Sequence, residues 1–429
     1  MKPLRIEAGL LVDGGDGPPV VDGAVLVVDG RIRAAGPRGQ VPAPDGADTL
    51  AYPGLTLLPG LVDCHSHINL PGDGTSLEEA IAAGEAAVVL RSGENCRKAL
   101  ASGVTTLADN GALGRTALAV KAAIDAGIVP GPRLFVCGRA LTITGGHAWP
   151  MGGEADGADG VRRAARQLFK EGADFLKVMA TGGSTRGTPR ARASFNEDEL
   201  RAAVDEAHAW GRMAMAHATG NEGIARCVHA GFDVICHCSF YDAPPREKSW
   251  PALAAYGANF GAYRFRDDLA RRMADAGIPV NPTLQVHRDR LMRMEARHAT
   301  RAPSEAERAQ LANLRARYEE RVDYCRRLLA AGVELIAGSD AGWGPPFDAF
   351  PEEIAALVEV GMTPAAALRA GTSRSARALG IDDEVGSLKP GRLADLLLVE
   401  GDPSVDPRAL KKIRAVFLGG RRVPGVGDG

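Results

Sequence analysis

Histidine, lysine and aspartate side chains recur where apolar runs of this 429-residue chain end. His65 and His67 lie in "DCHSH", His217 in "MAMAHA" and His237 in "VICHCSF", while Asp340 closes "VELIAGSD". Four neutral imidazoles and a carboxylate make a good site for a borderline divalent ion such as zinc. Lys177, inside the apolar run "DFLKVMA", is discordant, because a lone ammonium is costly on a buried strand and repels dications. Two readings of it stand level. One is an ion pair with a carboxylate. The other is a carbamate formed with CO2, an anion whose two oxygens could bridge two metals.

These residues need elements that bring them together. The middle of the chain alternates short apolar runs with amphipathic helical stretches. Eight runs are found, at 60–67, 104–109, 133–138, 174–180, 213–218, 233–238, 278–283 and 333–340. Strand–helix alternation implies a parallel sheet, and eight units imply a closed (β/α)8 TIM barrel, with an open doubly wound sheet as the rival. Barrel enzymes carry their chemistry at the C-terminal ends of the strands, where these residues fall. Side chains alternate faces along a strand. That places His65 and His67 inward with Cys64 and Ser66 toward the helices, and His237 inward with Cys236 and Cys238 outward. A Cys-His-Cys metal site is then poor geometry. Between runs five and four, Asn196 is expected to cap a helix that ends at Gly211. Residues 286–330 read as a charged helical connection broken near Pro303, either a solvated pair or a lid.

Both ends of the chain read as short strands with glycine turns, Asp29-Gly30 being a hairpin signal. Residues 1–58 and 385–429 are expected to pair into a small β-sandwich accessory domain, leaving 59–384 as the barrel. With 45% hydrophobic and 24% charged residues the composition is that of a soluble globular protein. A net charge of −2 offers no basic field for nucleic acid or an anionic membrane, so neither partner is expected. No signal-type or membrane-spanning run is read, and a cytoplasmic protein is expected. Seven scattered cysteines without a CxxC pair read as buried thiols.

The stretches "LLPGLVDCHSHI", "DFLKVMATGG", "MAMAHATG", "VICHCS" and "IAGSDAG" together resemble the metal motifs of the amidohydrolase superfamily, in its binuclear, imidazolonepropionase-like and prolidase-like branch. "VLVVDGRIRAAG" and "GRLADLLLVEGDP" resemble the halves of that family's accessory domain. The resemblance implies two divalent metals, zinc being the expected ion. His65, His67 and Asp340 would hold one, His217 and His237 the other, and carboxylated Lys177 would bridge them with a hydroxide. "TITGGHAWPMG" is similar to a family loop after the third strand, which makes His147 a candidate for polarising the substrate carbonyl. Three positions differ from relatives. Thr219 stands where peptidase-like members often have histidine, and Cys238 where they tend to have glycine. Gly220 stands where the mononuclear branch has glutamate, which favours the binuclear reading.

The implied reaction is hydrolysis of an amide-type C–N bond in a small molecule: a dipeptide, N-acyl amino acid, carbamate, urea or lactam. The bridging hydroxide would attack the carbonyl, with Asp340 as proton shuttle. Arg186, Arg190 and Arg192, in the loop after Lys177, read either as a clamp for a substrate carboxylate or as a solvated basic loop. His287 follows the seventh run and could reach the mouth; His208, His229 and His298 read as structural or solvated. A homo-oligomer is expected. The rival functions are a mononuclear deaminase or cyclic-amidine hydrolase, and a non-catalytic assembly protein on the same fold.

Overall fold

The computed structural model describes residues 2–243, 261–299 and 301–427. It is a mixed α/β fold built on three sheets. Four strands of the parallel sheets, Leu61–Ser66, Val104–Asp109, Leu176–Met179 and Ala214–Gly220, are buried along their whole length, as strands covered on both faces are. One parallel sheet joins β5 (Leu61–Ser66), β6 (Val104–Asp109) and β7 (Arg133–Val136). The other joins β8 (Leu176–Met179), β9 (Ala214–Gly220) and β10 (Val234–Asp242), with β12 (Val280–Asn281) parallel to β10 and β11 (Ala262–Tyr263) antiparallel at its far end. Single parallel bridges link these pieces: Leu141 with Val178, Val280 with Leu335, and Ser66 with Ala341. The eighth apolar run is thus tied by bridges rather than by a continuous strand. Asp340 N donates to His65 O at 2.8 Å, which sets the first and eighth runs side by side.

Amphipathic helices cover these strands. Helix Glu197–Ala209 opens on a capping box in which Asn196 and Glu199 satisfy each other's backbone N–H, as the sequence leads one to expect. The charged connection forms two helices, Gln285–Ala299 and Glu305–Ala330. The second buries the stripe Arg321, Tyr324, Cys325 and Leu328.

The two ends of the chain share one seven-stranded sheet, in the order β15-β14-β13-β4-β1-β2-β3. Here β1 is Leu4–Leu11, β2 Val20–Val28, β3 Arg31–Pro37, β4 Asp48–Pro59, β13 Leu396–Glu400, β14 Ile413–Leu418 and β15 Arg421–Arg422. Asp29 and Gly30 have φ of 49° and 76°, the pair of positive values a tight hairpin between β2 and β3 requires. Ile6, Val25, Leu57, Leu398 and Phe417 form the buried core of this sheet. No helix among the described residues is long and apolar enough to cross a membrane.

Candidate metal centre

His65 lies at the end of β5 and His67 just beyond it, and Asp340 comes from the eighth run. Their ligand atoms all lie within 4.8 Å of one another, and all three residues are buried. Asp340 Oδ1 is 3.4 Å from His67 Nε2 and 3.8 Å from His65 Nε2, yet it has no hydrogen-bond partner. A buried carboxylate oxygen left in that state beside two imidazoles is the donor set of a divalent-cation site. Lys177 on β8 is fully buried; Nζ lies 3.3 Å from His65 Nε2 and donates to Asn110 Oδ1 at 3.1 Å and Cys236 Sγ at 3.2 Å. None of these partners is a carboxylate. His217 and His237 complete the group, with ring centroids 4.5 Å apart and His237 5.1 Å from His65. His147 is buried against His217 at 4.6 Å, and its Nδ1 pairs with Thr185 Oγ1 at 2.9 Å. All six expected ligand positions and His147 therefore line one cleft, together with His287.

Three of the ligand imidazoles are fixed from behind. His67 Nδ1 pairs with Gly111 O at 3.2 Å, His217 Nε2 with Gly182 O at 3.0 Å and His237 Nδ1 with Thr283 Oγ1 at 2.8 Å. Such partners set tautomer and ring orientation. Asp63 braces the floor, accepting from Ser339 N and Oγ and from His65 N. Two glycines make room: a Cβ on Gly338 would fall 2.7 Å from His65 Cβ, and one on Gly183 would fall 2.3 Å from the His147 ring.

Burial is the largest influence on the five histidines and on Asp340. It pushes His67 and His217 down to about 3, with the Lys177 cation acting second on both. His65, His147 and His237 move in the same direction for the same first reason. Five neutral imidazoles are in the state that metal coordination requires. The Asp340 carboxyl rises to about 7, again through burial, against the lowering effect of Lys177.

One expectation fails. Strict alternation put Cys236 and Cys238 on the outer face of β10, but Cys236 Sγ touches Lys177 Nζ and packs with Val62, Met215 and Ile336. Cys238 does face outward, near Tyr324 and Cys325 of the helix Glu305–Ala330. The cause is a break in register after His237, with His237 and Cys238 at φ of 66° and 49°. Left-handed residues rotate the chain, so consecutive side chains 236 and 237 both reach the interior. Six of the eight non-glycine residues with positive φ among the described residues, Ala148, His237, Cys238, Phe240, Thr283 and Asp340, sit at or beside the cleft. Strain of this kind collects where a site holds side chains in fixed positions.

The basic loop divides: Arg186 and Arg192 are exposed, whereas Arg190 lines the cleft. Sequence reading missed Asn110, Trp343, Arg290 and Arg321. Arg321 left a signal, because it occupies the apolar stripe of its helix three, four and seven residues before Tyr324, Cys325 and Leu328. Trp343 left none; its ring reaches His67 at 5.1 Å and His147 at 5.3 Å from the loop after the eighth run. Of the remaining histidines, His208 pairs with Asp233 at the surface and His229 lies near Glu197.

The chain is similar to known proteins along nearly its whole length. The chain is 27% identical to ochratoxinase of Aspergillus niger over 460 residues, covering all of this chain and 88% of that one. It is 26% identical to imidazolonepropionase of Micrococcus luteus, covering 95% of each. A solved Xaa-Pro dipeptidase with methionine bound in its active site superposes with a TM-score of 0.82 at 26% identity, over 99% of this chain and 100% of the other. Residues 56–423 match the amidohydrolase family, and the chain therefore belongs to that family of hydrolases acting on carbon–nitrogen bonds.

Proposed function

We propose that this protein is a binuclear metal-dependent hydrolase that cleaves an amide-type C–N bond in a small-molecule substrate. The observation that carries the reading is the gathering of six ligand-type side chains from five runs of chain around one cleft, with Asp340 Oδ1 left unpartnered. His65, His67 and Asp340 would hold one ion and His217 and His237 the other, zinc fitting this nitrogen-rich set. Lys177 would bridge as a carbamate; its contacts with Asn110, His65 and Cys236 include no carboxylate, which disfavours the ion-pair alternative. When bound, the ions supply a water ionised near neutral pH and polarisation of the scissile carbonyl.

The chain's own groups do the rest. Asp340 takes the proton of the attacking water and returns it to the leaving nitrogen. His147, neutral and packed against His217, donates an N–H toward the carbonyl oxygen as negative charge develops there. Trp343 and the 181–190 loop, joined by Trp343 Nε1 donating to Ser184 Oγ at 2.6 Å, form one wall of the cleft.

In the same reading the parallel sheets and their bridges make a (β/α)8 barrel over 59–384. Residues 1–58 and 385–429 make an accessory β-sandwich, supported by buried clusters led by Ile6 and Leu398 on one side and Ala24 and Leu26 on the other. A cytoplasmic homo-oligomer without nucleic-acid or membrane partners is part of this proposal. Metal analysis of protein prepared with zinc and bicarbonate, followed by a hydrolysis screen across amides, ureas and lactams, tests it. Two ions per chain, a carbamate carbon on Lys177 seen by 13C NMR, and turnover are expected. One ion with a free Lys177 amine would establish the mononuclear alternative instead.

A further inference from the structure

Lys177 Nζ meets Asn110, His65 and Cys236, and only Asn110 has its orientation imposed by the backbone. Asn110 stands just beyond the end of β6 and is fully buried. Its Nδ2 donates to Cys64 O on β5 at 2.9 Å and to Ala108 O on β6 at 3.3 Å. Backbone carbonyls only accept, so the flipped amide, with Oδ1 against them, is excluded. Oδ1 is thereby turned to Nζ, from which it accepts at 3.1 Å. The other two neighbours differ in kind. His65 Nε2, at 3.3 Å, belongs to an expected metal ligand, and Cys236 Sγ, at 3.2 Å, is a weak acceptor. With an ion on His65, Asn110 Oδ1 is the strong acceptor left to Nζ among these contacts. The same turn also steadies a ligand, since Gly111 O pairs with His67 Nδ1 at 3.2 Å.

We infer that Asn110 is a positioning residue for Lys177: its Oδ1 holds the N–H of the lysine carbamate and so fixes the plane of the two oxygens that would bridge the metals. The inference deepens the binuclear reading and rests on it for the carbamate. Carbamate formation joins Nζ to the carbon of CO2, moves one C=O electron pair onto oxygen and passes one Nζ proton to water. One proton stays on Nζ, and the nitrogen, conjugated with the new carbonyl as in a peptide, is planar. An N–H fixed at one acceptor therefore fixes the plane of the whole group. Without an acceptor, that buried N–H would carry its full desolvation cost. The Asn110 amide removes the cost and brings no charge, whereas a carboxylate at this place would set one anion against another.

The test titrates 13C-bicarbonate into protein prepared with zinc, follows the carbamate carbon by 13C NMR and counts bound zinc by plasma emission. In Asn110→Ala the bicarbonate needed for half-maximal signal should rise about 10- to 100-fold, the factor expected when a buried donor loses its acceptor. At a bicarbonate concentration that saturates the parent, zinc should fall from two ions per chain toward one. Asn110→Asp keeps the size of the side chain and serves where the alanine variant does not fold. Its carbamate signal should be weaker than the parent's at every bicarbonate concentration. Near-UV circular dichroism selects the folded samples. An amide that only joins β5 to β6 would lower the denaturation midpoint and leave the bicarbonate titration of folded protein unmoved. A parent-like titration in the folded variants therefore overturns the role of Asn110 and leaves the binuclear reading standing. If the parent itself binds one ion and shows no carbamate carbon, the binuclear reading falls and the inference falls with it.

Discussion

Asp340 holds the most demanding position in the molecule. Its backbone is left-handed, its neighbour Ser339 is anchored by Asp63, and its Oδ1 faces two imidazoles with no other partner. Asp340→Asn keeps the shape and a ligand oxygen but cannot accept and return a proton. Turnover is expected to drop by about 10²- to 10⁴-fold with the metal content, read by plasma emission, unchanged. Activity within a factor of five of the parent would remove Asp340 as proton shuttle. Cys238 poses a different residue-scale question. A non-glycine residue at φ 49° costs roughly 1–2 kcal/mol, and the buried thiol offsets that through packing near Tyr324 and Cys325. In Cys238→Gly the lost packing and the relieved strain oppose each other. Chemical denaturation should show a net change within about 1 kcal/mol, against the 2 kcal/mol or more usual for emptying a core site.

At the scale of elements, the helix Gln285–Ala299 carries His287 and Arg290 into the cleft, and Glu353 fixes where that helix begins. Glu353 is fully buried and accepts from Leu284 N at 3.1 Å and Gln285 N at 2.6 Å. Burial, the larger effect, raises its carboxyl to about 8 although both N–H donors favour the charged form. The unfolded chain loses this proton near pH 4.5, whereas the folded chain keeps it until about pH 8. The folded state therefore binds the extra proton between those values, and stability falls as pH rises through that window, by roughly 1.4 kcal/mol per pH unit from this group. Above pH 8 the contribution is gone. Glu353→Gln, which cannot titrate, should flatten the pH dependence of the urea midpoint between pH 5 and 8. It should also lower stability by about 1–3 kcal/mol, because an amide N–H now meets a backbone N–H. An unchanged pH slope would show that another group dominates.

At the scale of the whole molecule, strands from both ends of the chain complete one sheet. β4 is held between β1, parallel to it, and β13, antiparallel to it. Leu398 pairs with Leu57 in that register and both are fully buried. Leu398→Ala is expected to cost about 2–5 kcal/mol, measured by denaturant unfolding. Truncation before Leu396 should give insoluble protein, because β4 would become an unpaired edge and the core would lose Leu396, Leu398, Ala415 and Phe417. A soluble truncated chain with native near-UV circular dichroism would show that the rest folds without the shared sheet.

The sequence alone determined which residue types could bind metal and in what order. His65, His67, Lys177, His217, His237 and Asp340 are legible because ligand chemistry belongs to the side chain, and their places at run ends follow from local hydrophobic patterning. The alternation of strands and helices, the Asn196 cap and the Asp29-Gly30 hairpin are local for the same reason. Only the tertiary structure decided what depends on contacts distant in sequence or on backbone handedness. Cys236 lies in regular register beside His217 and meets Lys177, and the left-handed turn at His237 and Cys238 brings His237 inward as well, where a period of two placed Cys236 outside. Which arginines meet was equally invisible: Arg186 and Arg192 share a loop with Arg190, yet its neighbours in the cleft are Arg290 and Arg321, a hundred and more residues away. Spacing along the chain fixes the face a side chain takes only while the backbone stays regular, and it carries no information on which helix closes over a site.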